Sequence, residues 1–249
     1  KSESYAIVPD YYNGILPKVV AKVGEKVKAG SVLMIDKNRP EIKFVSPVSG
    51  EVTAVNRGEK RKVLSIVVKP DAQIEYEEFG KKNVASLQGA EVKEVLLNAG
   101  MWPFIKQRPY DIVAAPLDTP RDIFVSAFYS APLAPNFDFI VKGQEADFQT
   151  GLNALAKLTN GKVYVGVRSG SVVSGMKGVE IVEVEGPHPA ANVGVQINHI
   201  KPVNKGEVVW TVNPADVIVI GRLFNKGVAD FSRMVAITGS ETTERGYVK

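Results

Sequence analysis

Two short segments decide the fold of the first part of the chain: Val23-Gly24-Glu25-Lys26-Val27-Lys28-Ala29-Gly30 and Ser46-Pro47-Val48-Ser49-Gly50-Glu51-Val52. Around them, runs rich in valine and isoleucine are interrupted by glycines, a pattern that indicates short strands separated by turns. A weak internal repeat relates the segment that begins at Gly14 to the segment that begins at Gly50. Two half-units of about 36 residues, neither able to close a core alone, predict a small two-fold sandwich or flattened barrel.

Three helices are predicted in the region after residue 88. The first covers residues 91–99 and is stopped by Gly100. The third begins at Asn213 and Pro214, a capping residue followed by a proline at the first helical position. The second is marked by one apolar stripe, at Phe148, Leu152, Leu155 and Leu158.

Apolar runs between these helices predict strands over residues 111–115, 123–127, 137–142, 162–167 and 179–184. Strands that alternate with helices are typical of a mostly parallel α/β sheet. A further β element begins at Met234. We therefore predict a multidomain chain of the α+β or α/β class, in which a sandwich precedes an α/β domain.

The composition narrows the possible functions. The formal net charge of +4 is too small for a nucleic-acid-binding arm but is compatible with an anionic membrane surface. The chain contains no cysteine, which excludes disulfides, thiolate zinc sites and cysteine-ligated iron–sulfur clusters. With only His188 and His199 as histidines, no metal site is expected. No apolar run approaches the roughly 20 residues that a helix needs to span a bilayer.

Common nucleotide and nucleophile motifs are missing. The chain contains neither G-x-G-x-x-G nor G-x-x-x-x-G-K-[ST], so we do not expect a self-sufficient NADH or ATP site. No nucleophile elbow accompanies its serines, which argues against a hydrolase.

Lys37 is a candidate carrier residue, because lipoyl domains present a lysine after an aspartate at a hairpin tip and Lys37 follows Asp36. It lies ten positions before Pro47, a longer spacing than in the lipoyl pattern, and the tight hairpin would be lost. A biotinyl/lipoyl carrier is therefore the weakest alternative, and a surface lysine in a longer loop is favoured.

Aromatic residues are concentrated directly after the first predicted helix, where Trp102, Phe104, Arg108, Pro109 and Tyr110 lie within nine residues. Flat aromatic surface beside a guanidinium suits a planar ring that bears carbonyl groups, such as a quinone or a flavin. The alternative, of equal weight, is an interdomain hinge that buries Trp102 and Phe104 in the core.

A second aromatic turn lies near the start of the chain and contains Tyr11, Tyr12 and Gly14. We expect it to close the other side of the same ligand site if the first domain folds against the second.

Two further segments are candidates for contacts. Prolines on both sides of His188 fix its backbone, so the loop either presents the imidazole to a polar ligand or is a structural turn, which is favoured. The basic residues Arg57, Lys60 and Arg61 are a candidate docking patch for an acidic partner or for lipid headgroups, although such a run is most often a solvated turn.

Taken in order, these segments resemble one protein family. The specific motifs are Asn56-Arg57-Gly58 and Gly186-Pro187-His188-Pro189, and further matching segments cover residues 23–28, 44–50, 55–61 and 108–110. This pattern is similar to the NqrA-type component of the bacterial Na⁺-translocating NADH:quinone reductase. That family is related to the C subunit of the Rnf complex and to the flavin-bearing subunit of complex I. The resemblance covers nearly the whole chain.

The resemblance implies three domains. Residues 1–88 would form a barrel-sandwich hybrid of the biotinyl/lipoyl type, residues 89–232 a Rossmann-like α/β domain, and residues 233–249 the start of a β-grasp (SLBB) domain. It also implies a peripheral subunit on the cytoplasmic side of the bacterial inner membrane, in a complex that oxidises NADH, reduces quinone and exports Na⁺. The subunit would not be catalytic in isolation. Its partners would be the other subunits and quinone, with no nucleic acid and only peripheral membrane contact.

Departures from the related proteins concern the redox groups. Relatives that bind FMN carry a glycine-rich loop after the helix that here ends at Gly100, whereas this chain has Met101-Trp102-Pro103-Phe104, which removes the close backbone approach that a flavin phosphate needs. We therefore expect no tightly bound FMN or iron–sulfur cluster, and quinone contact at the two aromatic turns. A purely structural scaffold without a quinone site is the main alternative. The glycine–proline leader usual in this family is missing before Lys1, so we also expect the sequence to be shortened at both ends.

Overall fold

The computed structural model describes residues 2–249 and separates them into two compact units. The first unit contains the described residues up to Pro116 together with Arg222–Asp230. The second contains Leu117–Gly221 together with Phe231–Lys249. No helix among residues 2–249 is long and apolar enough to cross a membrane.

The first unit is built on two antiparallel sheets. Their strands are β1 (Tyr5–Ile7), β2 (Pro17–Val19), β3 (Lys26–Val27), β4 (Val32–Asp36), β5 (Lys43–Val45), β6 (Gly50–Arg57) and β7 (Val63–Pro70). One sheet has the order β1-β7-β6-β3 and the other the order β2-β4-β5. Each sheet combines strands from both predicted half-units, so neither half closes a core alone. The predicted sandwich is confirmed.

Alternate side chains of these strands form the core of the sandwich. Leu33, Met34, Phe44, Val52 and Ile66 are almost completely buried, and each such side chain contributes roughly 1.5–3 kcal/mol by its removal from water. The second decisive segment owes its glycine at position 50 to a close backbone approach, since a Cβ there would lie 1.9 Å from the carbonyl oxygen of Lys69.

The first predicted helix is present as α1 (Gly89–Asn98). It begins with a capping box, in which the N–H of Gln88 donates to the Glu91 carboxylate at 2.7 Å. It ends before Gly100, which has φ +67°. A Cβ on Gly100 would lie 2.5 Å from a methyl carbon of Val45, so the helix end lies directly on the sandwich.

A short antiparallel hairpin follows α1, formed by β8 (Ile105–Arg108) and β9 (Ile112–Val113). The second of these strands falls within the predicted strand 111–115, but it pairs with its neighbour in sequence instead of entering a parallel sheet. Residues 89–116 therefore belong to the compact unit of the sandwich.

The second unit contains four parallel strands, namely β10 (Ile123–Ser126), β11 (Val163–Val167), β12 (Glu180–Glu183) and β13 (Val209–Val212). Their spatial order is β12-β11-β10-β13. Three of them were predicted, which confirms the α/β class of this region. The fourth, β13, was not predicted from the sequence.

The predicted strand over residues 137–142 is wrong, because this segment forms the helix α2 (Phe137–Val141). Its aromatic and β-branched residues favour a strand. The cap overrides that preference, since the side-chain oxygen of Asn136 accepts a hydrogen bond from the N–H of Phe139.

The remaining helices are α3 (Glu145–Ala156), α4 (Val193–Ile200) and α5 (Pro214–Lys226). The predicted apolar stripe of α3 is buried. At the start of α5, the side chain of Asn213 accepts a hydrogen bond from the N–H of Ala215 at 3.0 Å, and Gly227 with φ +77° follows its end. Both predictions are confirmed, whereas α4 was not predicted.

The last element is an antiparallel pair of strands, β14 (Val235–Ile237) and β15 (Gly246–Val248). It agrees with the predicted β element after Met234. Its assignment to the start of a β-grasp domain stays a prediction.

Candidate functional site

The first aromatic turn is a 3₁₀ helix over Pro9–Tyr11. Tyr11 is 79% exposed. The ring of Tyr12 is half-buried and meets Phe44 edge-on at 4.7 Å between centroids. The ammonium of Lys106, from β8, lies 5.2 Å from the centre of the Tyr12 ring, a cation–π contact that holds this ring in place.

Trp102 lies in the core. Its side chain has no exposed surface, and its indole N–H donates to the carbonyl oxygen of Ala114 at 2.8 Å. Both faces of the ring are covered by protein, so the expectation of Trp102 as an open aromatic platform is revised: this residue supports the segment from inside. Phe104 is half-buried.

The exposed part of the second aromatic segment lies at the turn between β8 and β9. Tyr110 is 81% exposed, and Pro109 is also exposed. The side chain of Arg108 is 29% exposed, and its Nε lies 3.4 Å from a carboxylate oxygen of Asp111. A guanidinium and a phenol therefore occur at one surface turn.

The structure brings the two aromatic turns together within the first unit. The N–H of Val113 donates to the carbonyl oxygen of Asn13 at 2.9 Å. A Cβ on Gly14, whose φ is +80°, would lie 2.7 Å from Cβ of Ile112. Only glycine permits this contact without a shift, which gives Gly14 a packing role at the junction.

Arg39 locks this junction and was missed by the sequence analysis. Its guanidinium donates to the carbonyl oxygens of Gly14 at 2.8 Å and Val113 at 3.2 Å. Its Nε donates to the carboxylate of Asp36 at 2.7 Å, and that side chain is 1% exposed. We call the turn of residues 9–14 and the hairpin of residues 105–113, joined through Arg39, the joined-turn surface. No local pattern marks Arg39, because its partners lie 25 and 74 positions away.

Lys37 lies beside this junction, at the start of the six-residue connection between β4 and β5. It is exposed, and its N–H donates to the carbonyl oxygen of Leu16 at 2.7 Å. The connection is held by Asp36, which accepts hydrogen bonds from the N–H groups of Leu16 and Asn38. The longer loop agrees with the favoured interpretation of a surface lysine.

His188 lies in the second unit, in the loop before α4. The ring is exposed, and its Nδ1 lies 3.1 Å from the hydroxyl oxygen of Ser130. That hydroxyl also accepts a hydrogen bond from the N–H of Ala191 at 3.1 Å. The imidazole is thus positioned by a hydroxyl instead of a backbone carbonyl, and its role as a ligand contact stays a prediction.

Tyr129 lies near the same end of the parallel strands as Ser130. Burial raises the pKa of its phenol, and the negative charge of Asp216 raises this pKa further. Tyr129 is therefore a neutral hydroxyl at physiological pH.

The basic run forms the tip of the hairpin between β6 and β7. Lys60 and Arg61 both have positive φ, at 52° and 62°, in a conformation that costs energy for residues with a Cβ. Arg57 donates to the carbonyl oxygen of Arg61 at 3.1 Å, while Lys62 pairs with Asp10 at 2.6 Å. We call Arg57, Lys60 and Arg61 the basic tip.

Metal chemistry finds no support in the part of the chain that the structure describes. Residues 2–249 contain no group of three or more histidine, aspartate or glutamate side chains that could hold a metal ion.

The fold and the joined-turn surface first define a class of protein. It is a two-part chain in which an antiparallel sandwich precedes an α/β unit with a parallel sheet, and the surface residues that stand out are tyrosines and arginines, not metal ligands or nucleophiles.

Comparison with protein families narrows this class. Residues 1–71 match the NqrA N-terminal barrel-sandwich hybrid domain, and residues 87–229 match the NqrA second alpha/beta domain. The chain therefore belongs to the NqrA family.

Curated proteins similar to this chain share one name, which makes each of them the NqrA component of a Na(+)-translocating NADH-quinone reductase. The protein from Hahella chejuensis is 39% identical over 239 residues, which cover 94% of this chain and 53% of the relative. The protein from Neisseria meningitidis serogroup A is 37% identical over 243 residues, covering 96% and 54%. The protein from Photorhabdus laumondii is 37% identical over 248 residues, covering 98% and 56%. This chain spans about half the length of these curated relatives.

Proposed function

We propose that this chain is a peripheral component of a Na⁺-translocating NADH-quinone reductase and that its joined-turn surface contacts the quinone. The names of the relatives support membership in such a complex. The chain would not be catalytic alone. Its partners would be the other subunits, on the cytoplasmic side of the bacterial inner membrane.

The observation that carries the quinone proposal is the junction between the two aromatic turns. The Asn13–Val113 hydrogen bond and the contacts of Arg39 fix residues 9–14 against residues 105–113. This surface offers the exposed rings of Tyr11 and Tyr110 as flat apolar contacts and the guanidinium of Arg108 as a donor to a ring carbonyl.

The same region supports the proposal that the chain holds no tightly bound flavin. Met101, Trp102 and Pro103 are buried directly after Gly100, and their side chains fill the space in which a glycine-rich loop would leave backbone accessible. Quinone would therefore be met as a substrate of the whole complex and not as a partner of a resident cofactor.

We also propose the basic tip as a docking patch. Its three cations lie on an exposed hairpin end, and they suit an acidic surface of another subunit or anionic lipid headgroups.

The quinone proposal is tested by titration of a short-chain ubiquinone into the purified chain, with heat as the readout. A hydrogen bond from a charged donor contributes roughly 1.5–3 kcal/mol, so Arg108→Ala should weaken binding by about tenfold to a hundredfold. Tyr110→Leu should weaken it less, because most of the apolar area is kept.

Two variants serve as controls. Asp111→Asn removes the ion pair of Arg108 but keeps the guanidinium, and it should retain binding, since asparagine tolerates the positive φ of 53° at this position. Lys82→Ala changes an exposed lysine elsewhere in the first unit and should have no effect. If folded Arg108→Ala binds as tightly as Lys82→Ala does, the quinone site lies elsewhere and the scaffold alternative is favoured.

A further inference from the structure

A cleft in the second unit lies at the carboxyl ends of β10 and β11. Its volume is about 380 Å³, and its lining includes Phe128, Phe137, Asp138, Arg168 and Ser171. Ligands of open α/β sheets bind outside the carboxyl ends of the strands, and pockets for small molecules have volumes of roughly 300–1,000 Å³. Both the position and the size of this cleft suit a small ligand.

Arg168 supplies a positive charge to this cleft. It follows β11 directly, and its guanidinium carbon lies 4.6 Å from the centre of the Phe128 ring. Two of its nitrogens donate to the carbonyl oxygens of Val184 at 3.1 Å and Gly186 at 2.7 Å. These bonds and the ring contact fix the guanidinium plane. They use two of its five N–H donors.

Arg168 has no carboxylate within ion-pair distance among residues 2–249. The arginine of the second unit at the opposite ends of the strands differs in this respect, since Arg121 pairs with both Asp122 and Glu207. A fixed guanidinium with spare donors and no counter-ion, lying at a cleft, is the environment that binds a carboxylate or a phosphate.

Another part of the cleft lining has the opposite character. The carboxylate of Asp138 accepts a hydrogen bond from the hydroxyl of Ser171 at 2.6 Å. A carboxylate oxygen has capacity for more than one donor, and its charge repels an anion. The aromatic side chains of Phe128 and Phe137 provide apolar contact in the same cleft.

We propose that this cleft binds a small planar molecule that carries an anionic group, a carboxylate or a phosphate, and a hydrogen-bond donor at its far end. Arg168 binds the anionic group, Asp138 accepts from the donor, and the phenylalanine rings contact the flat part. The site is separate from the quinone proposal, because a neutral quinone has no anionic group for Arg168 and no donor for Asp138.

Nuclear magnetic resonance titration of the ¹⁵N-labelled chain tests this proposal. The probes are 4-hydroxybenzoate, its neutral amide 4-hydroxybenzamide, benzoate without the hydroxyl donor, and phenyl phosphate. We expect saturable shifts of backbone amides in residues 127–138 and 168–171 with 4-hydroxybenzoate. The neutral amide should bind about tenfold to a hundredfold more weakly, since it lacks the charge-assisted hydrogen bond, and benzoate should also bind more weakly than 4-hydroxybenzoate. Relative affinities of the hydroxybenzoate and the phosphate show which anion the site prefers.

Arg168→Gln separates charge from shape. This variant should lose the preference for 4-hydroxybenzoate over its amide, while the affinity for the amide itself stays within about twofold of the unmodified chain, because a hydrogen bond between neutral groups is the weaker kind. Arg168→Lys keeps the charge and should keep the preference, which covers the case in which the glutamine variant fails to fold.

Three results would overturn the proposal. The first is equal affinity of the unmodified chain for the carboxylate and the amide. The second is equal affinity for benzoate and 4-hydroxybenzoate, which would remove the role of Asp138. The third is a set of shifts located only in residues of the first unit. None of these results depends on quinone binding, so failure here leaves the proposed function standing.

Discussion

Arg39 shows how one side chain organises a surface made by distant parts of the chain. It bonds to Asp36 three residues away, to Gly14 and to Val113. The buried carboxylate of Asp36 fixes the guanidinium, and the guanidinium in turn satisfies two backbone carbonyls at the junction. Removal of one partner of such a buried pair is costly, since it leaves the other charge without compensation. The shape of the joined-turn surface therefore depends on a residue that would not itself touch the ligand.

Asp122 is a second buried carboxylate, and it leads to a prediction about pH. Its side chain is 1% exposed and pairs with Arg121 and Lys201, each at 2.7 Å. The N–H of Lys162 also donates to it. Burial alone would raise the pKa of this carboxyl, but the hydrogen bonds from Lys201, Lys162 and Arg121 outweigh burial and lower it.

A carboxyl whose pKa is lower in the folded state stabilises the fold at pH values above its unfolded pKa of about 3.9. This stabilisation is lost as the pH falls through the lowered folded pKa. Asp122→Asn should therefore be less stable than the unmodified chain at pH 7, and the difference should shrink toward a pH of about 2, where the aspartic acid is also neutral.

Urea unfolding across this pH range measures the effect. Asp10→Asn is the matched control, because the pair of Asp10 with Lys62 is exposed on both sides and such pairs contribute about 0–1 kcal/mol. Curves of the free energy of unfolding that run parallel for Asp122→Asn and the unmodified chain would contradict the prediction.

At the scale of elements, the second unit depends on a close approach between α3 and α5. Gly151 and Gly221 both lie at this crossing. A Cβ on Gly151 would lie 2.1 Å from the carbonyl oxygen of Val217, and a Cβ on Gly221 would lie 1.7 Å from the carbonyl oxygen of Asp147. In both cases the obstacle is backbone, which cannot rotate away as a side chain can.

Gly221→Ala should destabilise the chain although alanine is the better helix former. Helix propensity alone favours alanine by about 1 kcal/mol, but the clash forces the two helices apart, and overpacking of this kind costs roughly 1–3 kcal/mol or more. The measurement is the free energy of unfolding in urea.

Gly194→Ala is the matched control for Gly221→Ala. Gly194 lies in α4, and a Cβ there would meet nothing within 4 Å. This substitution should be neutral or stabilising by up to about 1 kcal/mol. An equal effect of the two substitutions would show that the helices do not approach as closely as the structure places them.

The sequence predicted the elements that are specified locally. The end of α1 at Gly100 and the start of α5 at Asn213 depend on residues within one turn of the helix. The segment of α2 misled because its aromatic and β-branched residues favour a strand, whereas one capping side chain decides the outcome. Propensity is thus a weak guide for a five-residue helix.

The site was less predictable than the fold, because its residues depend on long-range contacts. Exposure separates Tyr110 from Trp102, although both belong to one aromatic run. The sequence suggested that the two aromatic turns meet only if two domains pack together. Instead, both turns lie within one compact unit, since the β8–β9 hairpin belongs with the sandwich. A pattern of residue types cannot distinguish these two arrangements.

At the scale of the whole molecule, the net charge of +4 is modest, and three cations are concentrated at the basic tip. If the tip is a docking patch for anionic headgroups, binding should follow its local charge and not the total charge. Each basic residue near an anionic membrane contributes about 1 kcal/mol, and the attraction is screened within a Debye length of about 10 Å at 0.1 M salt.

Replacement of Arg57, Lys60 and Arg61 by serine should therefore abolish the binding of the chain to vesicles that contain anionic lipid. The matched control replaces the exposed lysines Lys81, Lys82 and Lys205 by serine, which removes the same formal charge from other places. We expect the control to bind as the unmodified chain does, and we expect all binding to decrease between low salt and about 0.5 M salt, where the Debye length falls below the roughly 10 Å found at 0.1 M. Co-sedimentation with the vesicles measures the bound fraction. Equal loss in the two triple variants would show that total charge governs binding, and the basic tip would then have no special role in docking to lipid.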